Sequence, residues 1–142
     1  MDQNLCPICQ NERAYKSEEK KVLCTHCGYV AFPLEPENIV IDSAAVKKKR
    51  DHKEPFFLID VRRADERAKA MIQEAHWIPI TELPQRWQEL PQDKEIIVHC
   101  HYGGRSFHAA RYLSQKGLKK VKSLDGGIDA WSAYIDPSIP RY

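Results

Sequence analysis

Residues 96–106 read Ile-Ile-Val-His-Cys-His-Tyr-Gly-Gly-Arg-Ser. The apolar start of this stretch predicts a strand that is buried on both faces of a parallel sheet. The strand runs directly into Cys100, two glycines allow a tight loop, and a helical pattern begins at Ser106. Because ligands bind at the carboxyl ends of the strands in an open parallel sheet, we expect Cys100 to lie at the functional edge.

The rest of the chain after residue 38 alternates between strand and helix patterns. Further strands are predicted at 39–41, 56–61 and 121–124, and helices at 43–50, 64–71, 83–90, 106–116 and 128–134. Strands separated by helices predict an α/β fold, in which a parallel sheet carries helices on both faces. Pro33 and Pro36 interrupt helix and sheet alike, so they predict a short linker. We therefore expect two domains, a cysteine-rich segment with its linker at 1–36 and an α/β domain at 37–142.

The loop after Cys100 has the composition of an anion cradle. Gly103 and Gly104 let the backbone curl around the sulfur, so that N–H groups from His101 to Ser106 point inward. The start of the following helix and the guanidinium of Arg105 add positive charge, which stabilises a thiolate or a persulfide anion. The alternative is a buried structural cysteine, which needs neither glycines nor an arginine. His99 is expected in the core, whereas the side chains of His101 and Tyr102 either shape the entrance or are simply exposed.

The first 27 residues contain four of the five cysteines. They form two C-x-x-C pairs, Cys6 with Cys9 and Cys24 with Cys27, separated by fourteen residues. Two such pairs supply four thiolates, the closed tetrahedral set of a structural zinc site, so we expect one zinc ion per chain. The alternatives are disulfides or a redox-active pair, but neither pair lies between a strand and a helix. His26, inside the second pair, is expected to be a solvated loop residue, and a chelator is expected to loosen residues 1–32 without stopping chemistry at Cys100.

Composition narrows the compartment and the partners. With 22 basic and 20 acidic residues the net charge is +2, which does not favour a nucleic-acid or membrane partner. The basic run at 47–50 is interpreted as a solvated helix face. No apolar run is long enough to span a membrane, and the start of the sequence lacks the basic and apolar regions of a secretory signal. An odd number of cysteines argues against a disulfide framework, so we expect a cytoplasmic protein.

Three segments in this order resemble the landmarks of a rhodanese domain. They are residues 58–62 (Leu-Ile-Asp-Val-Arg), the loop 100–106, and residues 124–131 (Leu-Asp-Gly-Gly-Ile-Asp-Ala-Trp). The resemblance covers about residues 37 to 142 and departs from the family pattern at Ala70 and Met71, where Gly-His is usual. It implies a rhodanese-like fold in which Cys100 accepts sulfur and Arg105 binds the anionic donor or steadies the loop. It also implies scaffold roles for Asp60 and Arg62, with Arg62 in a salt bridge that packs the first helix, and a core position for Trp131.

The resemblance implies a sulfurtransferase. Such an enzyme moves sulfane sulfur from thiosulfate or a persulfide donor to cyanide or a thiol, through a persulfide on Cys100. The N-terminal segment resembles a zinc ribbon, which implies a folding unit and a docking surface for either protein or nucleic acid. A protein donor or acceptor of sulfur is the partner expected there. Two alternatives stay open, a non-catalytic adaptor and a phosphatase or arsenate reductase on the same fold. Phosphatases of this fold have one residue more between cysteine and arginine than the four found here, so the tighter loop favours sulfur.

Overall fold

A computed structural model describes residues 5–16, 20–32 and 39–142. The predicted linker at 33–37, and with it the boundary between the two expected domains, lies outside the described residues. Nothing in the structure therefore tests that boundary. No described helix combines the length and the apolar character needed to cross a membrane.

The cysteine-rich segment forms a small antiparallel sheet. Its strands are β1 (Arg13–Lys16), β2 (Lys21–Cys24) and β3 (Val30–Phe32), paired in sequence order. Gly28 has a φ of 82°, a left-handed value that suits glycine and lets the chain turn between the second cysteine pair and β3. We call residues 5–32, as far as the structure describes them, the ribbon.

The rest of the chain builds a five-stranded parallel sheet. Its strands are β4 (Val40–Ile41), β5 (Phe56–Asp60), β6 (His76–Trp77), β7 (Glu95–His99) and β8 (Val121–Leu124), in the order β4-β8-β7-β5-β6. Every neighbouring pair is parallel, which confirms the predicted α/β class. Since β7 lies between β5 and β8, the loop that follows Cys100 lies between the loops that follow those two strands.

Alternate residues of the central strands face two separate apolar layers. Leu58, Ile97 and Leu124 pack in one layer with Ile128 and Trp131. In the other layer the chief members are Ile59, Val61, Ile96 and Val98 from the sheet, and Ala109, Ala110 and Leu113 from the helix after the cysteine loop. This alternation follows from the two-residue period of a strand, and it confirms that helices cover both faces of the sheet.

Among the described residues, four α-helices lie between strands and a fifth follows β8, with bounds close to those predicted. They are α1 (Ser43–Asp51), α2 (Ala64–Lys69), α3 (Leu83–Arg86), α4 (Gly104–Gln115) and α5 (Gly127–Tyr134). The helix predicted at 83–90 breaks after Arg86 and continues as a 3-10 turn, Trp87–Glu89. Helix α4 begins two residues earlier than predicted, because Gly103 has a φ of 118° and turns the chain sharply before it. The first turn of α4 is therefore part of the cysteine loop.

The ribbon packs directly on α4. Tyr29 is fully buried and its hydroxyl accepts a hydrogen bond of 2.7 Å from Nη1 of Arg111 and lies 2.7 Å from Nδ1 of His108. Gln115 pairs with both backbone groups of Val30, at 2.9 Å each. Five ribbon side chains belong to the same apolar layer as Val98 and Cys100. They are Cys6, Ile8, Cys24, Cys27 and Tyr29. The ribbon and the α/β unit thus share one apolar layer, while the expected domain boundary stays a prediction.

Candidate active site and metal centre

Cys100 lies at the carboxyl end of the central strand β7, at the bottom of the loop that leads into α4. Only 1% of its surface is exposed. The backbone behind it is held by the start of α5, where the amides of Ile128 and Asp129 donate to the carbonyl oxygens of Cys100 and His101 at 2.9 and 3.1 Å. A Cβ atom added to Gly127 would lie 2.4 Å from the His101 oxygen, so only glycine allows this close approach.

Three groups surround the Cys100 sulfur within hydrogen-bonding distance. The amide of Gly103 lies 3.1 Å from Sγ, and the amide and the hydroxyl of Ser106 each lie 3.4 Å from it. The Ser106 amide belongs to the first turn of α4, where the N–H groups have no partners within the helix and the helix dipole favours negative charge. The arrangement can therefore stabilise a sulfur anion at this position.

The remaining loop residues predicted for the cradle have other surroundings. In the part of the chain that the structure describes, the amides of His101, Tyr102 and Gly104 make no hydrogen bond with Sγ. The ring of His101 is stacked between Tyr102 and Tyr142, with ring centroids 3.8 and 3.9 Å apart, while Tyr102 is 62% exposed. These two side chains therefore lie together at the surface of the loop.

Arg105 is held by an acidic partner that the sequence did not reveal. Its Nη1 and Nη2 atoms bind the two carboxylate oxygens of Glu66 at 2.5 and 2.8 Å. Burial alone would raise the pKa of Glu66, but the Arg105 guanidinium and the Tyr142 hydroxyl lower it to about 2. Arg105 is thus half of an ion pair that joins the first turn of α4 to α2.

Asp60 and Arg62 form a buried ion pair under the loop. Neither side chain has exposed surface, and Nη2 of Arg62 donates to Oδ2 of Asp60 at 2.8 Å and to the carbonyl of Ala70 at 2.7 Å. The bond to Ala70 satisfies a carbonyl oxygen at the end of α2, where the extended backbone of Ala70 ends the helix. These contacts confirm the predicted salt bridge that packs the first helix after β5.

Tyr142 is a residue of this region that sequence reasoning missed. Its hydroxyl accepts a hydrogen bond of 2.8 Å from Arg62 and donates one of 2.9 Å to Glu66, while its ring covers His101. Burial raises the pKa of Tyr142 to about 12, so the hydroxyl keeps its proton. No motif marks this residue, because it lies 42 positions after Cys100 in an irregular segment.

His99 is buried as expected, but its contacts are sparse. Burial lowers the pKa of His99 to about 4, so the ring is neutral near pH 7. Its Nε2 atom is 3.9 Å from Oδ2 of Asp60 and has no hydrogen-bond partner among the described residues. Trp131 lies in the core, 3% exposed, as predicted.

The four cysteines of the ribbon converge on one point. The sulfurs of Cys6, Cys9, Cys24 and Cys27 all lie within 4.8 Å of one another. Cys6 and Cys27 are 3.6 Å apart, and Cys9 and Cys24 are 3.4 Å apart. A tetrahedron with metal–sulfur bonds of about 2.3 Å has edges of about 3.8 Å, so the spacing fits a single ion. The amides of Ile8 and Cys27 point at the sulfurs of Cys6 and Cys24, 3.4 Å each, as is usual for metal-bound thiolates.

This cysteine cluster could hold a metal ion, and His26 has no part in it. The His26 side chain is exposed, as predicted, while Cys6, Cys24 and Cys27 are buried. Four sulfur ligands close the coordination shell, so the cluster is suited to holding the ribbon together rather than to binding a substrate.

Comparisons with known proteins match the α/β unit. The family model described as a rhodanese-like domain matches residues 42–134. A protein named sulfurtransferase from Allochromatium vinosum is 36% identical over 99 residues, which cover 70% of this chain and 92% of that protein. The Zea mays adenylyltransferase and sulfurtransferase MOCS3-1 is 29% identical over 153 residues, covering 84% of this chain and 33% of that protein. The crystal structure of a rhodanese-related protein from Thermoplasma volcanium superimposes with a TM-score of 0.63 at 31% identity, covering 72% of this chain and 98% of that one.

Proposed function

We propose a function from one premise, which is that this chain belongs to the rhodanese-like domain family. Relatives named as sulfurtransferases support sulfur transfer in general. The specific proposal is a thiosulfate or persulfide sulfurtransferase in which Cys100 carries the sulfur. The observation that carries it is the position of the Cys100 sulfur, at the end of β7 and within reach of the Gly103 and Ser106 donors.

The proposed reaction has two halves. The Cys100 thiolate attacks the outer sulfur of thiosulfate, a new S–S bond forms, and the old S–S bond breaks as sulfite leaves with its electron pair. The outer sulfur of the resulting persulfide carries the negative charge, and the amides of the loop are the groups that can bind it. In the second half, cyanide or an acceptor thiolate attacks that outer sulfur, and the electron pair of the bond returns to Cys100.

Arg105 has an indirect role in this proposal. Because Glu66 already binds both terminal nitrogens of its guanidinium, Arg105 contributes mainly by fixing the first turn of α4, where the Ser106 donors begin. Its guanidinium is about one third exposed, so it still presents positive charge to an anionic donor that enters the loop.

The proposal for the ribbon is one structural zinc ion per chain, bound by Cys6, Cys9, Cys24 and Cys27. The all-sulfur donor set and the tetrahedral spacing support zinc. A protein that donates or accepts sulfur is the partner proposed to dock at the ribbon. We also propose a cytoplasmic location, which is supported by the five cysteines that are free of disulfide bonds.

The test is the mass of the intact protein. Incubation with thiosulfate is expected to add one sulfur atom per chain, cyanide is expected to remove it as thiocyanate, and Cys100→Ser is expected to take up none. A labile sulfur on Cys100→Ser, or a wild-type protein that never gains one, would show that the assignment is wrong. An adaptor without activity would give that second result while still folding and binding its partner.

A further inference from the structure

Two buried serines form a chain of hydroxyl groups behind the Cys100 sulfur. The Ser106 oxygen lies 3.4 Å from Sγ of Cys100, 3.2 Å from the carbonyl oxygen of Gly103, and 2.7 Å from the hydroxyl of Ser123. Ser106 has no exposed surface, and Ser123 is 1% exposed. The shortest of the three contacts is therefore the one between the serines, in a place from which solvent is excluded.

Ser123 is fixed by the sheet and not by the loop. It lies on β8, where its position pairs with Val40 of β4 on one side and Val98 of β7 on the other. Its amide also donates to the carbonyl of Ile39 at 2.7 Å. The hydroxyl thus approaches Ser106 from a rigid element, while Cys100 and Gly103 approach it from the loop.

The protonation state of Cys100 decides which way the hydroxyl groups of Ser106 and Ser123 point. Ser106 has one hydroxyl proton and three acceptors within reach, the Gly103 carbonyl, the Cys100 sulfur and the Ser123 oxygen. When Cys100 is a thiol, its S–H group can donate to Ser106, and Ser106 donates to Gly103. When Cys100 is a thiolate, the sulfur can only accept, which favours a Ser106 proton turned toward it, and the Ser106 oxygen has lost the donor that the thiol supplied. Ser123 is placed to replace that donor.

We propose that Ser123 is a positioning residue, which keeps the Ser106 hydroxyl turned toward the Cys100 thiolate by donating to its oxygen. The inference rests on the proposed function and extends it to a residue outside the cysteine loop. Both hydroxyl groups only rotate during the cycle. They donate toward Sγ while it is an anion and turn back when Sγ forms its bond to the transferred sulfur. The buried oxygen of Ser106 therefore always has a partner, which avoids the cost of an unsatisfied polar group.

The test reads the reactivity of Cys100 without any sulfur donor. Alkylation by iodoacetamide is followed on the peptide that contains Cys100, so the ribbon cysteines do not contribute. For Ser123→Ala we expect the rate near pH 7 to fall about three- to tenfold, the effect of losing one hydrogen bond that supports a charged group, and to equal that of the wild type near pH 10, where thiols ionise without help. An unchanged rate near pH 7, or a deficit that persists near pH 10, would overturn the proposal.

A second pair of variants controls for packing. Ser123→Thr and Ser123→Val have nearly the same volume and differ in the hydroxyl, so we expect Thr to keep a faster rate than Val near pH 7; equal rates would overturn the proposal even if Ser123→Ala does not fold. Ser43→Ala removes another buried hydroxyl, one without a hydrogen-bond partner in the described residues, and is expected to react like the wild type. Sulfur uptake by the wild type is measured separately, so failure of the proposed function can be told apart from failure of this inference.

Discussion

Two cysteine sites in this chain stabilise sulfur anions by different means. Around Cys100 a single sulfur faces two amides and a hydroxyl, fixed by a loop and the start of α4. In the ribbon four sulfurs face one another within 4.8 Å, and the backbone amides of Ile8 and Cys27 lie 3.4 Å from two of them. Hydrogen bonds leave the lone sulfur free to react, whereas four clustered thiolates repel one another unless a cation binds them. The same residue type is thus the proposed nucleophile in one place and the proposed metal ligand in the other.

The largest effect should come from exchanging one sulfur for oxygen in each site. Cys100→Ser is expected to lower thiosulfate:cyanide sulfur transfer by about a thousandfold or more, because it removes the nucleophile, while the metal content stays at one ion per chain. Cys24→Ser is the matched variant and is expected to lose the metal, as measured by elemental analysis. If Cys100→Ser lost metal as well, or Cys24→Ser kept it, the two sites would not have the separate roles assigned here.

Removal of the metal should have the next largest effect, because the ribbon and α4 share one apolar layer. After chelation we expect sulfur transfer to fall about tenfold, within the hundredfold that a displacement of about 1 Å can cost, as α4 loses its support. Hydrogen exchange should rise in the ribbon and in α4 together. Tyr29→Phe keeps the ring and removes the hydroxyl contacts to Arg111 and His108, so its effect should be smaller. Full activity after chelation would instead agree with the expectation from the sequence, that sulfur transfer at Cys100 does not depend on the metal.

A smaller effect concerns the ion pair beside the cradle. The pKa of Glu66 is about 2 in the folded protein, below its ordinary value of 4.5. Its contribution to stability is therefore complete above about pH 4.5 and is lost as the pH falls toward 2. Wild type should exceed Glu66→Gln in free energy of unfolding by about 1 to 3 kcal/mol at pH 6, with the gap reduced by about half near pH 3 and closing only toward pH 2. Chemical denaturation at the two pH values measures it, and a gap that does not depend on pH would contradict the ion pair.

We expect no catalysed hydrolysis of an aryl phosphate. The four residues between Cys100 and Arg105 make a small loop, and Glu66 occupies the guanidinium that a phosphate would need. We expect the wild type to hydrolyse the ester no faster than Cys100→Ser under conditions in which sulfur transfer is measurable. Hydrolysis that depends on Cys100, without sulfur transfer, would favour the phosphatase alternative instead.

Much of the fold could be predicted from local patterns, and the contacts that join distant segments could not. The buried strand before Cys100 and the glycine turn after it are properties of consecutive residues, so the sequence shows them. Glu66 lies 39 positions from Arg105, and Tyr142 lies 76 positions from Glu66, so nothing nearby in sequence marks either partner. The contacts of Tyr29 with α4 could not be predicted either. They depend on how the ribbon packs against a helix that is distant in the sequence. The contacts between the ribbon and α4 could therefore not be anticipated from the sequence.

The close approach of Gly127 to the cysteine loop limits how this protein can be altered. The carbonyls of Cys100 and His101 rest against a backbone that tolerates no side chain, and the next two amides bind them. Extra residues in the cysteine loop cannot be accommodated toward α5, since the start of that helix already fills the space behind Cys100 and His101. Substitutions meant to admit a bulkier substrate therefore belong on the exposed side of the loop, at Tyr102 and Gly104. The start of α5 therefore limits the length of the cysteine loop, and any insertion there has to extend outward.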